Sequence, residues 1–150
     1  MPVLLASVTS EVLDLDAHLR LVQEAGTGAV ACFAGRIRNH DPEATGEVVG
    51  IDYTHHPDAE AILGVLAATV VGELDPDGEA LVAISHRVGR LDVGDLALVA
   101  CVGTAHRRLA FDLCEALVER VKAELPIWKQ QFEADGRAVW SRLDLPEESP

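Results

Sequence analysis

Three times in this chain, two strand-like segments follow one another with no helix between them. That pairing constrains the fold more than any other feature. Gly28–Gly35 precedes Val48–His55, Ala80–Arg87 precedes Leu96–Thr104, and Ile127–Phe132 precedes Ala138–Arg142. A doubly wound parallel sheet needs a crossover helix between nearly every pair of strands, so that architecture is excluded. The expectation is an α+β fold with a mixed or largely antiparallel sheet and three main helices. A further strand, Val3–Val8, opens the chain. Asp14 reads as the N-cap of a first helix to about Glu24, with Leu15, Leu19 and Val22 on one face and Gly26 past its end. Pro57 suits the first turn of a second helix to about Leu74. The longest helix spans His106–Leu125, with a stripe through Leu109, Ala110, Leu113, Cys114, Leu117, Val118 and Val121; Pro126 closes it. Breakers fill the gaps: the loop Asn39–Glu47, the DPDG turn at 75–78, the linker GRLDVGD, and Ala134-Asp135-Gly136. Residues 1–143 read as one domain and 144–150 as a disordered tail.

The chain has 150 residues, 49% of them apolar, enough for one well-packed core. Its formal net charge is −13, from 25 acidic and 12 basic residues. That balance argues against a general nucleic-acid binder and against adhesion to anionic membranes. It leaves room for a small anionic ligand held by a local cluster of cations. The start of the chain lacks the features of a leader peptide, and the longest charge-free apolar stretch in its middle, Ala61–Gly72, is too short to span a bilayer. Cys32, Cys101 and Cys114 are odd in number and widely spaced, and read as buried, inert thiols in a reducing compartment. A soluble cytoplasmic protein is expected.

The positive charge is unevenly placed. Residues 41–80 hold ten acids and no lysine or arginine, and read as solvated surface. Eight of the twelve basic residues fall in four short segments: Arg36/Arg38, Arg87/Arg90, Arg107/Arg108 and Lys122/Lys129. Histidines accompany three of them: His40, His86 and His106. Arg36 and Arg38 end a strand. His106-Arg107-Arg108 opens a helix, where free backbone N–H groups and the helix dipole favour an anion. Solvated strand ends explain any one segment; the set together reads as a phosphate or carboxylate pocket.

The only two lysines, Lys122 and Lys129, flank the break at Pro126, which can fold both ammonium groups toward one site. Trp128 and Phe132 are candidate walls that would lower its dielectric. A partly desolvated lysine among other cations can serve as acid, base or nucleophile.

These motifs together resemble one family, the large, catalytic subunits of molybdopterin synthase. The resemblance runs through GAVACFAGRIRNH (28–40), GIDYTHHPDA (50–59), HRVGRLDVGD (86–95), AHRRLAFDLCE (105–115) and VKAELPIWK (121–129), and covers residues 3–142. It implies an α/β hammerhead-type fold with added antiparallel strands. It implies sulfur transfer to cyclic pyranopterin monophosphate, forming the dithiolene of molybdopterin. The sulfur donor would be the thiocarboxylated C-terminal Gly-Gly of a small ubiquitin-like subunit. The implied assembly is a homodimer within a heterotetramer, with no metal or redox cofactor.

By position, the resemblance implies that Lys122 and Lys129 are catalytic. It implies substrate binding by Arg36, Ile37, Arg38, His106, Arg107, Lys122, Lys129, Gln130 and Gln131, with Phe33 and Trp128 lining the pocket. Two departures stand out. Gln131 replaces a frequent glutamate and cannot act as a base. Tyr53-Thr54-His55-His56 replaces a frequent Tyr-Glu-x-Tyr.

Two rival readings remain. His55 and His56 invite a metal site, but adjacent strand residues point to opposite faces and make poor co-ligands. A catalytically inactive paralogue, docking a ubiquitin-like partner, would need the arginines but not both lysines.

Overall fold

The computed structural model describes residues 2–42, 44, 46–142 and 145–146. In chain order the elements are β1 (Val3–Thr9), α1 (Leu15–Leu21), β2 (Ala29–Arg36), β3 (Val48–His55), α2 (Ala59–Leu74), β4 (Leu81–Arg87), β5 (Gly89–Asp92), β6 (Leu96–Thr104), α3 (Arg107–Glu124), β7 (Ile127–Glu133), β8 (Ala138–Arg142) and β9 (Leu145–Pro146). The α+β class with three helices is as expected.

The strands form two sheets. One is four-stranded, in the order β1-β4-β6-β2, with β1 parallel to β4 and the other pairs antiparallel. The other is five-stranded and antiparallel, in the order β5-β3-β7-β8-β9. Consecutive strands therefore pair differently from a run of hairpins. β2 and β3, adjacent in sequence, lie in different sheets, and β4 pairs with β6 across the intervening β5.

Two strands escaped the sequence reading. The linker GRLDVGD contains β5, too short to show alternation, entered at Gly89 with φ +86°. Leu145–Pro146, the start of the expected disordered tail, pairs as β9 with β8. Residues 144 and 147–150 lie outside the described residues. The first helix stops at Leu21, three residues early. Its N-cap is as expected: the Asp14 carboxylate accepts the Ala17 N–H at 3.1 Å.

The four-stranded sheet is covered on both faces. Helices α2 and α3 lie on one side, over Ala31, Val82, Ile84, Ala100 and Val102; Leu63, Ala67, Val70, Leu113, Leu117 and Val121 fill that layer. The same core continues into the second sheet through Val48, Ile51, Leu91 and Ile127. Helix α1 covers the opposite side, where Leu13, Val22, Ala83, Val99 and Cys101 make a smaller cluster. His18 of α1 is buried there: its Nδ1 donates to the Asp14 carbonyl at 2.6 Å and its Nε2 accepts from the Ser85 hydroxyl at 2.7 Å. Asp75 is also buried, accepting the Glu79 and Ala80 N–H groups at 3.0 and 2.8 Å, so the DPDG turn is pinned by an acid that composition alone assigns to the surface. No helix among the described residues is long and apolar enough to cross a membrane.

The α1 side depends on one close approach. A methyl group on Gly103 of β6 would overlap the carbonyl oxygen of Val22, which caps α1. Gly103→Ala must push α1 off the sheet. A loss of about 1–3 kcal/mol is expected, typical of overpacking. Urea denaturation should show a lower midpoint with an unchanged m-value; an unshifted midpoint would mean the contact yields freely.

Candidate functional site

Helix α3 runs from one end of β6 back along the sheet, and Leu125 and Pro126 then turn the chain into β7. Lys122 stands in the last turn of α3, where the helix carbonyls favour a cation. Lys129 stands on β7 opposite Tyr53 of β3. The break at Pro126 brings both lysines to one cavity of ≈ 90 Å³, lined also by Phe33, Gly35, Arg36, Tyr53, His86, Ala97 and Leu98. Arg36 enters at a β-bulge, where the β2–β6 register slips between Gly35 and Arg36. Bulges re-aim side chains in this way. The Arg36 Nε–H donates to the carbonyl of Gly94 at 3.3 Å, in a turn that Gly94 makes with φ +95°.

Three cations thus face one small space. Among the described residues an acid lies beside them: Asp41 is 3.4 Å from the Lys129 ammonium and 4.0 Å from the guanidinium of neighbouring Arg38. Asp41 is largely buried, so this part of the acidic run is site and not solvated surface. Arg38 is mostly exposed, at the rim.

The cavity also holds two aromatic polar groups that stay neutral. Burial, and then the Asp41 charge, push the Tyr53 hydroxyl up, so it remains a phenol. His86 packs edge-on to Tyr53, with ring centroids 5.0 Å apart at 81°. Burial lowers its pKa to about 4; its Nδ1 bond to the Arg87 carbonyl opposes that fall and the Lys122 charge adds to it. A carbonyl oxygen only accepts, so Nδ1, 2.7 Å from it, carries the proton.

The remaining candidates fall elsewhere. His106, Arg107 and Arg108 form a second, open groove of ≈ 600 Å³ with Phe111 and Asp112. Arg107 and Lys122 sit at opposite ends of α3; fifteen residues at 1.5 Å each put about 22 Å between them. One chain therefore does not gather all four basic segments. Arg87 pairs with Asp95 at 3.5 Å, and Arg90 lies over the Phe132 ring at 4.7 Å. Neither reaches the cavity.

Trp128 and Phe132 do not wall it either. They alternate with Lys129 and Gln131 along β7 and turn to the other face, as does Gln130. Gln131 shares the face of Lys129 but is only 1% exposed, with its amide nitrogen unpartnered. Ile37 is buried and contributes its backbone, bonded to Asp95 and Gly94. Phe33 lines the cavity as expected. Cys32, expected to be buried, is exposed on β2, the edge strand of its sheet. Cys101 and Cys114 are buried.

Tyr53 and His86 were the residues missed. His86 carried a signal, since it stands beside Arg87 in a basic segment, but nothing in the sequence says that it turns inward while Arg87 turns away. Among the described residues no group of three or more His, Cys, Asp or Glu side chains is placed to hold a metal ion; His55 and His56 bond locally, the His55 Nδ1–H donating to the His56 carbonyl at 3.0 Å.

The neutral state of His86 has a measurable consequence. An unfolded histidine takes its proton near 6.5 and folded His86 only near 4. Between those values the unfolded state binds more protons, so stability falls as the pH falls through that window. Urea denaturation at pH 7 and pH 4.5 should show a loss for the native sequence that exceeds the loss for His86→Gln by about 2–3 kcal/mol. Equal losses would mean that His86 is protonated in the fold.

Comparison with known proteins bears on these features. The family model described as MoaE protein matches residues 8–124. Molybdopterin synthase catalytic subunit 1 of Mycobacterium tuberculosis is 32% identical over 134 residues, covering 89% of this chain and 87% of that protein. Among solved structures, molybdopterin synthase from Staphylococcus aureus superposes with a TM-score of 0.80 at 25% identity, covering 89% of this chain and 94% of that one. The molybdopterin biosynthesis MoaE protein from Burkholderia ambifaria gives 0.74 at 32% identity, over 91% and 88%.

Proposed function

The chain belongs to the MoaE protein family, and on that premise we propose that it is the catalytic subunit of molybdopterin synthase, an enzyme of molybdopterin biosynthesis that acts as a sulfurtransferase. Its small-molecule substrate is cyclic pyranopterin monophosphate, which receives the two dithiolene sulfurs. The sulfur donor is the thiocarboxylated C-terminus of a small ubiquitin-like subunit, the partner that a catalytic subunit calls for. The reaction belongs in the cytoplasm, a reducing compartment that suits three free thiols.

One observation carries this reading: Lys122, Lys129 and Arg36 converge on one cavity. Three cations facing inward are costly without a negative guest, and a cyclic phosphate and a thiocarboxylate supply it. Lys122 stabilises the oxyanion formed when water attacks the acyl carbon of the thioester linking the donor tail to the pterin. The acyl carbon–sulfur bond then breaks, leaving the sulfur on the pterin as a thiolate and the tail as a carboxylate, and Lys122 moves the protons released. Lys129 exchanges Asp41 for the substrate phosphate or a developing thiolate. Arg36 and Arg38 bind the anion at the mouth.

The second basic cluster completes the site from a second copy of the chain. A cavity of ≈ 90 Å³ holds about three waters and no pterin, so one chain's pocket is incomplete. The outer edge of β2 is unpaired within the described residues, and Val30, Cys32 and Phe111 are exposed beside it. The Ala29 end of that edge adjoins Thr104 and hence His106; the other end is Arg36. A two-fold axis across β2 sets the His106-Arg107 end of one protomer against the Arg36–Lys122–Lys129 cavity of the other. Gln130, Gln131 and Ile37 act in this reading as the strand backbone and floor that hold the lysines and arginines in place.

A catalytically inactive docking subunit is the second reading. It would need the arginines but not both lysines, and both lysines line the cavity.

The test is reconstitution with thiocarboxylated small subunit and cyclic pyranopterin monophosphate, assaying molybdopterin. Lys122→Ala should lower turnover at least a hundredfold with folding intact; full activity in that variant overturns its role, and an inactive native chain overturns the enzyme reading. Mixing inactive Lys122→Ala and Arg107→Ala dimers, with subunit exchange, should restore about a quarter of native activity, because hybrid dimers hold one intact site. No recovery would overturn the shared site.

A further inference from the structure

His86 is buried, yet it lines the cavity that holds both lysines. It lies on the same face of β4 as Val82 and Ile84, under the end of α3. The Arg87 carbonyl takes the Nδ1 proton, and the Tyr53 ring meets it edge-on. Two ring constraints thus fix one orientation and one tautomer. The polar atom left is Nε2, which in the neutral ring is a lone pair with no proton. Among the described residues, the charged groups facing the cavity are Lys122 from α3, Lys129 from β7 and Arg36 from β2. Asp41 pairs with Lys129 at the far side, and the remaining polar wall is the Tyr53 phenol. A fourth positive charge, on His86, is therefore disfavoured, and an acceptor is what its surroundings need.

Resting on the reading of Lys122 as the catalytic lysine, we propose that His86 is a positioning residue whose Nε2 lone pair accepts a hydrogen bond from the Lys122 ammonium and aims it at the oxygen of the reacting acyl group. The arrangement resembles the way a second group fixes a catalytic side chain in other sites, where the supporting bond sets both direction and protonation state. Here the support is neutral. It holds the ammonium without neutralising it, which a carboxylate in the same place would do. The ammonium keeps its full charge for the oxyanion.

The chain has two lysines, so lysine labelled with carbon-13 and nitrogen-15 gives two side-chain signals, and Lys129→Arg assigns them. His86→Phe removes the acceptor and keeps an aromatic edge for Tyr53. It should lower the midpoint of the Lys122 ammonium titration and speed its proton exchange, leaving Lys129 unmoved. Turnover should fall on the order of tenfold with KM unchanged, the mark of an interaction made in the transition state. His86→Gln returns an acceptor near Nε2 and should restore both. A Lys122 signal that does not move in folded His86→Phe overturns the proposal, and so does a His86→Gln variant that behaves like His86→Phe.

Should His86→Phe fail to fold, the ring nitrogen shifts of His86 in the native dimer decide. A protonated Nδ1 with a bare, hydrogen-bonded Nε2 supports the proposal; a protonated Nε2 overturns it. None of these spectra needs substrate. An unmoved Lys122 therefore sinks the His86 role whatever the activity, while a shifted Lys122 in an inactive native enzyme sinks the functional reading alone.

Discussion

The packing of α3 along one face of the four-stranded sheet sets where the working charges fall. The helix begins beside Thr104, at one end of β6, and ends beside Leu98 and His86 at the other. Its apolar stripe, Leu113, Leu117 and Val121 among it, is sealed against the sheet, so it cannot slide or roll without exposing that stripe. Its length then becomes a ruler. Arg107 and Lys122 are held about 22 Å apart. A rigid separation of that kind turns the question of which basic residues cooperate into one of which copies of the chain meet.

The acidic average of the protein and its cationic cavity are compatible because the acids are sorted. Most of the carboxylates are on the surface, where water screens them. Asp41 is an exception that matters, since it is placed against Lys129. An internal carboxylate of this sort keeps a cluster of cations tolerable between turnovers and is displaced by a stronger anion. The binding energy of a phosphate is thus reduced by the cost of releasing Asp41 from Lys129.

Much of this was legible in the sequence. Long periodic segments and their breakers located seven of the nine strands among the described residues and all three helices, because hydrophobic period and capping chemistry are local. The lysine pair was legible for a similar reason: Pro126 limits where the chain can go next. What failed depended on distant partners. β5 exists because Ile51 and its neighbours offer an edge to only four residues. Trp128 and Phe132 were given to the cavity from proximity in sequence, although strand alternation already sends them away from Lys129. Cys32 looked buried by composition, but β2 is an edge strand.

His86 is the instructive case. In sequence it is one residue of HRVGR, a basic cluster, and the natural inference is that histidine and arginines act together on an anion. The pleat of β4 separates them. Arg87 faces away toward Asp95, while His86 faces Tyr53 and the lysines. Burial then converts the histidine from a potential cation into an acceptor, which reverses its role: it no longer adds positive charge to an anion pocket but steadies the charge already there. A site of three cations gains more from a neutral acceptor than from a fourth cation. Each added charge raises the cost of the empty pocket, whereas a lone pair offsets part of it and leaves the ammonium its charge.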